Sequence, residues 1–354
     1  MKGLVLGIWR WVDERTQISR VVRATLTEYM VPANLNFWYT MGSLLLACFV
    51  IQIVTGILLL IYYVPETSKA FESVKFITSA VPYGWLIRRL HAMTANLFVL
   101  VLFLHMLSTL YMGSYKKPRE IQWMTGVILF GLVLTEALSG YLLPWSQLSY
   151  WATTVATNAI GSIPKIGDML VVWVRGTPKV SQFTLGRFFA MHVSLIPFTI
   201  LMFIAIHLLF MRLTGISAPP GTDKAKVARV PFFPHMVSED LTSLFIFLAA
   251  LTWLVFFFPQ FAFPPDALEP ANPLQTPAHI KPEWYCLANY QALKLVPNEF
   301  LGILVQLVVG VILFFLPFLD RSPERRPLKR PVFTTLVTLG LLAYIALAVW
   351  GHYS

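Results

Sequence analysis

Four histidines stand at regular intervals in two apolar stretches. His91 and His105 are fourteen residues apart in "GWLIRRLHAMTANLFVLVLFLHM" (84–106); His192 and His207 are fifteen apart in "GRFFAMHVSLIPFTILMFIAIHLLF" (186–210). Fourteen helical residues rise about 21 Å and end about 40° short of whole turns, so His91 and His105 share a face. Fifteen overshoot by about 60°, and Pro197, between the second pair, is a kink that can absorb the offset. If both stretches cross a membrane in the same direction, His91 meets His192 at one depth and His105 meets His207 at another. Two levels of facing imidazoles are what bis-histidine haem iron requires. The alternative for any single buried histidine is an inter-helix hydrogen bond.

Four glycines repeat the interval. Gly42 and Gly56 are fourteen apart, and so are Gly126 and Gly140. A flat macrocycle inside a helix bundle needs close backbone approach, which the missing Cβ allows. Gly56 and Gly140 then fall at the depth of His91 and His192, and Gly42 and Gly126 at that of His105 and His207. Ordinary small-residue helix packing is the competing account. Arg88, one turn outward of His91, is a candidate partner for a haem propionate. Arg212, Lys116, Lys117 and Arg119 are candidates at the other end for propionates or a quinone head, and equally for topogenic charge.

The elements that hold these residues follow from composition. The 354 residues are 57% hydrophobic and 12% charged, which points to an integral membrane protein. Seven spans are expected near 36–62, 86–112, 122–144, 186–213, 240–258, 300–319 and 332–351. The first thirty residues read as a surface-lying amphipathic helix. The fold expected is all-α: a four-helix haem-binding bundle, three further transmembrane helices, and the N-terminal surface helix. The net charge of +10 is no sign of nucleic acid, because the basic residues cluster in short loops. The N-terminal segment, the loops after spans two and six, and the loop after span four with Arg212 hold most of them. The N-terminus is therefore expected on the cytoplasmic side and the C-terminus outside. Spans two and four then run the same way.

The Pro-, Gly- and Lys-rich stretch between spans four and five marks a boundary. The expected organisation is a di-haem module over 1–215, a linker over 216–238 and a C-terminal module over 239–354. Two long outer loops, 145–185 and 259–299, are expected to carry function. Cys48 and Cys286 form no metal or disulfide framework.

"GWLIRRLH", "KKPRE", the four histidines, the four glycines, "SGYLLPWSQLSYWATT" and "KPEWY" (281–285) together resemble cytochrome b of the bc-type quinol oxidoreductase complexes, over nearly the whole chain. The fifteen-residue spacing and the lack of an eighth span are similar to the photosynthetic quinol–plastocyanin type, although the chain here is fused. The resemblance implies two b haems: a low-potential outer one on His91 and His192, and a high-potential inner one on His105 and His207. It implies quinol oxidation at an outer site lined by the 145–185 loop and Pro282, Glu283, Trp284 and Tyr285. It also implies quinone reduction at an inner site, with coupled proton translocation. The implied partners are a Rieske-type iron–sulfur protein and a c-type cytochrome, in a homodimeric complex of the bacterial inner (plasma) membrane. Thr40 stands where the photosynthetic branch attaches an extra haem through cysteine, and Cys48 lies two turns deeper. Ser108 stands where relatives often place an arginine.

Glu283 is the expected acceptor of a quinol proton, since a carboxylate at membrane depth is costly and functional by default. Tyr285 and Tyr150 are expected to shape the same pocket. Two other functions fit parts of the pattern. A di-haem membrane anchor of another quinone-linked dehydrogenase would share the histidines but not the long outer loops or PEWY. A transporter using the histidines as a proton relay would bind no haem.

Overall fold

The computed structural model describes residues 2–223, 226–277 and 280–354. The linker expected over 216–238 thus includes two residues, 224 and 225, outside the described ones. Among the described residues, six helices are long and apolar enough to cross a membrane. The N-terminal segment forms α1 (Lys2–Thr16) and α2 (Ile18–Leu26), and no residue of α2 is buried. The first span is α3 (Met41–Leu60), preceded by a 3₁₀ turn over Phe37–Thr40. A helix α4 (Ala70–Ser79), which the apolar pattern does not announce, leads to the second span, α5 (Gly84–Met112). The third is α6 (Glu120–Tyr141).

The segment 145–185, expected as an outer loop, is largely helical: α7 (Gln147–Gly161) and α8 (Gly167–Arg175) form a hairpin. Ser146 and Ser149 make a capping box that starts α7, a local signal independent of any apolar run. Arg175 is 3% exposed and holds the hairpin together. Its guanidinium donates to Thr157 Oγ1 at 2.7 Å, Asn158 Oδ1 at 2.7 Å and the carbonyls of Thr154 and Pro178 at 2.8 Å.

The fourth span is α9 (Gln182–Thr214). It contains a π turn over Met191–Leu195, in which the Ile196 N–H reaches the Met191 carbonyl. Pro197 has no N–H to give to the preceding turn. A π turn takes one residue more than an α turn. The extra residue between His192 and His207 is therefore held in the turn that contains His192, just before the proline. The fifth span is α10 (Phe232–Phe257), and the last is α14 (Pro331–Tyr353).

The stretch expected as a single sixth span, 300–319, is interrupted. It consists of α12 (Glu299–Phe314) and the single turn α13 (Leu316–Leu319), broken at Phe315, with α11 (Leu287–Leu295) before it. Pro317 cannot donate to the carbonyl of Leu313, and the Trp123 indole of α6 takes that carbonyl instead, at 2.7 Å.

α3 packs most closely on α5, and α6 on α9, closing a four-helix bundle; α11 packs on α14. The core joins Met41, Leu44, Cys48 and Phe49 of α3, Met93 and Phe98 of α5, Val133 of α6, Ile196 and Ile200 of α9, and Leu251 and Val255 of α10. A short antiparallel ribbon, Met30–Pro32 with Arg229–Pro231, ties the N-terminal segment to the connection after span four.

Beyond the C-terminal end of α5, Asp320 joins the two parts of the chain. Its Oδ2 lies 2.8 Å from Lys116 Nζ and 3.2 Å from Arg330 Nη1, and Tyr115 donates to the same carboxylate. Arg330 also donates to the Leu110 and Tyr111 carbonyls near the end of α5. Burial alone would raise the Asp320 carboxyl. The hydrogen bonds from Lys116 and Tyr115 and the charges of Lys116 and Arg330 outweigh it and hold the group below the usual carboxylate range.

Candidate functional site: a two-level histidine bundle and an outer cavity

Each of the four glycines singled out by spacing faces one histidine. A Cβ on Gly56 would stand 3.4 Å from His91 Cε1, and one on Gly126 3.3 Å from His207 Cε1. On Gly42 it would stand 3.9 Å from His105 Cε1, and on Gly140 it would collide with the ring of His192. By contrast, Gly131, on the same helix as Gly126 and Gly140, opens on nothing within 4 Å.

The rings of His91 and His192 face each other with centroids 6.2 Å apart and planes at 83°. Two metal–imidazole bonds of about 2 Å, with each ring centre about 1 Å behind its nitrogen, span about 6 Å. The outer pair therefore fits one iron between them.

The tautomers fit as well. Thr55 Oγ1 lies 2.8 Å from His91 Nδ1 and gives its own proton to the Ile51 carbonyl at 2.6 Å. With that proton committed, Thr55 accepts from Nδ1–H, and Nε2 keeps its lone pair for a metal. Thr125 repeats the arrangement: 2.9 Å from His207 Nδ1, with its proton on the Gln122 carbonyl at 2.8 Å. Ser139 lies 3.3 Å from His192 Nδ1 and donates to the Glu136 carbonyl at 2.8 Å. In each case the hydroxyl immediately precedes the facing glycine, as Thr55-Gly56, Thr125-Gly126 and Ser139-Gly140. That dipeptide is a sequence signal that the histidine spacing alone does not use. The donor set and the open glycine edges fit b-type haem.

A cavity of about 410 Å³ runs from His91 and His192 past Gly56, Gly140 and Arg88 to Glu283 and Tyr285. Burial pushes the Glu283 carboxyl above the usual range, against the opposing influence of the nearby Tyr141 hydroxyl. Burial likewise raises the Tyr285 phenol. Arg88 donates to Thr78 Oγ1 at 2.9 Å and lies over the Phe263 ring. The two outer segments are joined above the cavity: the Gln147 side chain donates to the Gln275 carbonyl and accepts from the Asn272 N–H, both at 2.7 Å.

Other expected residues lie elsewhere. Trp284 turns its indole N–H to Asn96 Oδ1 at 2.8 Å, and neither it nor Pro282 lines the cavity. Tyr150 is buried between Trp145 and Trp151 rather than on the cavity wall. Arg212 is engaged by the Tyr29 ring and the Thr25 carbonyl. Arg119 donates to the carbonyls of Gly215 and Thr214. Thr40 donates to Ser243 at 2.9 Å, Cys48 is part of the apolar core, and Ser108 bonds the His105 carbonyl. The spacing does not single out Asp240, which accepts from Ser43 at 2.5 Å between spans one and five, next to Gly42.

Two family models account for most of the chain: "Cytochrome b/b6/petB" over 26–215 and "Cytochrome b(C-terminal)/b6/petD" over 270–354. The chain belongs to the cytochrome b family. Among curated relatives, the cytochrome b of Allochromatium vinosum is 40% identical, with 96% of this chain and 87% of that protein covered. The cytochrome b of Rickettsia prowazekii is 40% identical, over 92% of this chain and 82% of that one. A cytochrome b/c1 of Bradyrhizobium diazoefficiens is 38% identical, with 94% of this chain and 49% of that longer protein covered. Among solved structures, a chain of a "Hyperthermophilic respiratory Complex III" superposes with a TM-score of 0.91 at 38% identity, covering 97% of this chain and 91% of its own. This cytochrome b is thus an integral membrane protein that binds haem b, the redox subunit of a bc-type quinol–cytochrome c oxidoreductase. It works within a multi-subunit complex.

Proposed function

We propose that this cytochrome b holds two b haems, a low-potential outer one between His91 and His192 and a high-potential inner one between His105 and His207. It oxidises quinol at an outer site and reduces quinone at an inner one, with coupled proton translocation. When bound, the haems supply one-electron carriers at two depths. The observation that carries this reading is the match of four glycines to four histidines, each glycine opening on one ring.

The chain's own contribution is positional. Nε2 of each histidine would ligate the iron. Thr55, Thr125 and Ser139 hold three of the rings by Nδ1. Gly42, Gly56, Gly126 and Gly140 leave space along the edges. Arg88 faces the outer cavity as a cation for a propionate. In that cavity Glu283 accepts the quinol proton on its carboxylate, with the Tyr141 hydroxyl nearby. Tyr285 and the joined outer segments limit water.

The partners proposed are a Rieske-type iron–sulfur protein and a c-type cytochrome, in a homodimeric complex of a bacterial inner membrane. The N-terminus is cytoplasmic and the C-terminus outside. The di-haem module is 1–215 and the C-terminal module 239–354.

The test is a pyridine haemochrome count on single variants. The wild type gives two haems per chain. His192→Ala loses the outer one and His105→Ala the inner one. A His192→Ala chain with two normal b haems would refute the assignment.

A further inference from the structure

We infer that Glu136 is a positioning residue that acts through His192. Its carboxylate stands against Nδ1 of that ligand and sets the outer haem at a lower reduction potential than a neutral side chain would. The inference rests on the di-haem reading above and goes beyond it.

Glu136 belongs to α6, about one turn inward of Gly140. A carboxylate inside a span is costly unless it has a partner, and here the partner is specific. Glu136 Oε1 lies 3.0 Å from His192 Nδ1, with the side chains 21% and 18% exposed. The Glu136 carbonyl is 3.1 Å from the same nitrogen, and Ser139 Oγ 3.3 Å. With iron on Nε2, the only proton of a neutral imidazole is on Nδ1, so His192 can only donate there. The Glu136 carbonyl is aligned to accept that proton, and the side-chain carboxyl lies beside the same nitrogen.

Two of the other rings are held differently. His91 and His207 rest on the neutral hydroxyls of Thr55 and Thr125. The carboxylate therefore introduces an asymmetry, on one ligand of the outer level. A carboxylate on the distal nitrogen makes imidazole a stronger donor to a metal and orients the ring. Its negative charge also favours the more positive, oxidised iron. Both effects lower the potential at the outer level and widen its gap from the inner one.

The experiment uses the complex purified with its haems, and compares Glu136→Gln and Glu136→Asp with the wild type. Haem is counted by pyridine haemochrome, and each haem is titrated through its reduced-minus-oxidised band. The backbone carbonyl at 136 and the Ser139 hydroxyl still hold Nδ1 in the glutamine variant, so both haems stay. The outer haem's reduced-to-oxidised ratio at fixed ambient potential then rises about tenfold, which is about 59 mV for one electron. The inner haem stays where it was, and Glu136→Asp, which keeps the charge, lies nearer the wild type than Glu136→Gln.

An outer haem in Glu136→Gln that titrates as in the wild type, with both haems present, overturns the inference; so does an equal shift of the inner haem. If Glu136→Gln fails to keep its haem, Glu136→Asp decides. Retained haem at a near-native potential supports the charge, and a loss equal to that of glutamine refutes it. A wild-type count below two haems would instead overturn the di-haem reading.

Discussion

The hydroxyl of Thr55 lies 2.8 Å from Nδ1 of His91, and its own proton is committed to the Ile51 carbonyl. Thr55 thereby selects the imidazole tautomer whose free nitrogen is Nε2. Thr55→Val keeps the shape and removes the acceptor, at a cost of about 1 kcal/mol. Both haems should still be present at room temperature, with the outer one lost at a lower temperature than in the wild type. Heating followed in the α-band checks this; an unchanged loss temperature would confine Thr55 to its own helix.

Gly140 and Gly131 are separated on one helix by contrasting surroundings. A Cβ at Gly140 runs into the His192 ring, whereas one at Gly131 meets nothing within 4 Å. Gly140→Ala should therefore broaden or deplete the outer haem's band and leave the inner one. Gly131→Ala should leave both, with helix propensity in its favour by about 1 kcal/mol. Equal spectra for the two variants would reduce Gly140 to helix packing.

Burial raises the Glu283 carboxyl, so its basic form is present only above a pH higher than the ordinary carboxylate range of about 4. Quinol oxidation should rise with pH as Glu283 loses its proton and fall as the medium becomes acidic enough to restore it. Glu283→Gln should keep both haems and lose this acidic limb, with a turnover lower by about 10²-fold. Steady-state rates from pH 5 to 9 are the measurement, and wild-type turnover across that range would remove Glu283 from proton transfer.

The folded-state pKa of Asp320 is depressed, so its contribution to stability is complete above the unfolded carboxylate value and is lost as pH falls through the folded one. Asp320→Asn leaves Lys116 and Arg330 without their shared anion. Breaking such a buried pair costs about 3 kcal/mol. The variant should melt at a lower temperature near neutral pH, and the difference should shrink in acid. A difference that is constant with pH would mean that the lost interaction is not ionic.

Much of this arrangement is legible in the sequence. Apolar runs mark the spans because lipid leaves the backbone few alternatives to a helix. Spacing arithmetic puts each glycine at the depth of one histidine pair, and in the structure one ring of that pair lies on it. What escapes the sequence depends on contacts between distant segments. Arg212 meets Tyr29 and Thr25 because α2 folds beneath the bundle, a relation no local pattern contains. Tyr150 turns into an aromatic cluster because the 145–185 segment is a helical hairpin rather than an open loop. The break before Pro317 is locally visible, but its toleration depends on Trp123, far away in the chain. Glu136 was readable as a carboxylate in a span, yet only the fold reveals that it reaches His192.

The π turn around His192 has a genetic meaning. It stores one extra codon between two ligands, in a loop of backbone that widens rather than lengthens the helix. Fourteen and fifteen residues are thus two spellings of the same span. A lineage can pass from one to the other by gaining or losing a single amino acid beside His192, with neither histidine leaving its level. The interval between these ligands can differ by one codon without moving either, and by itself says little about which branch of the family a chain descends from.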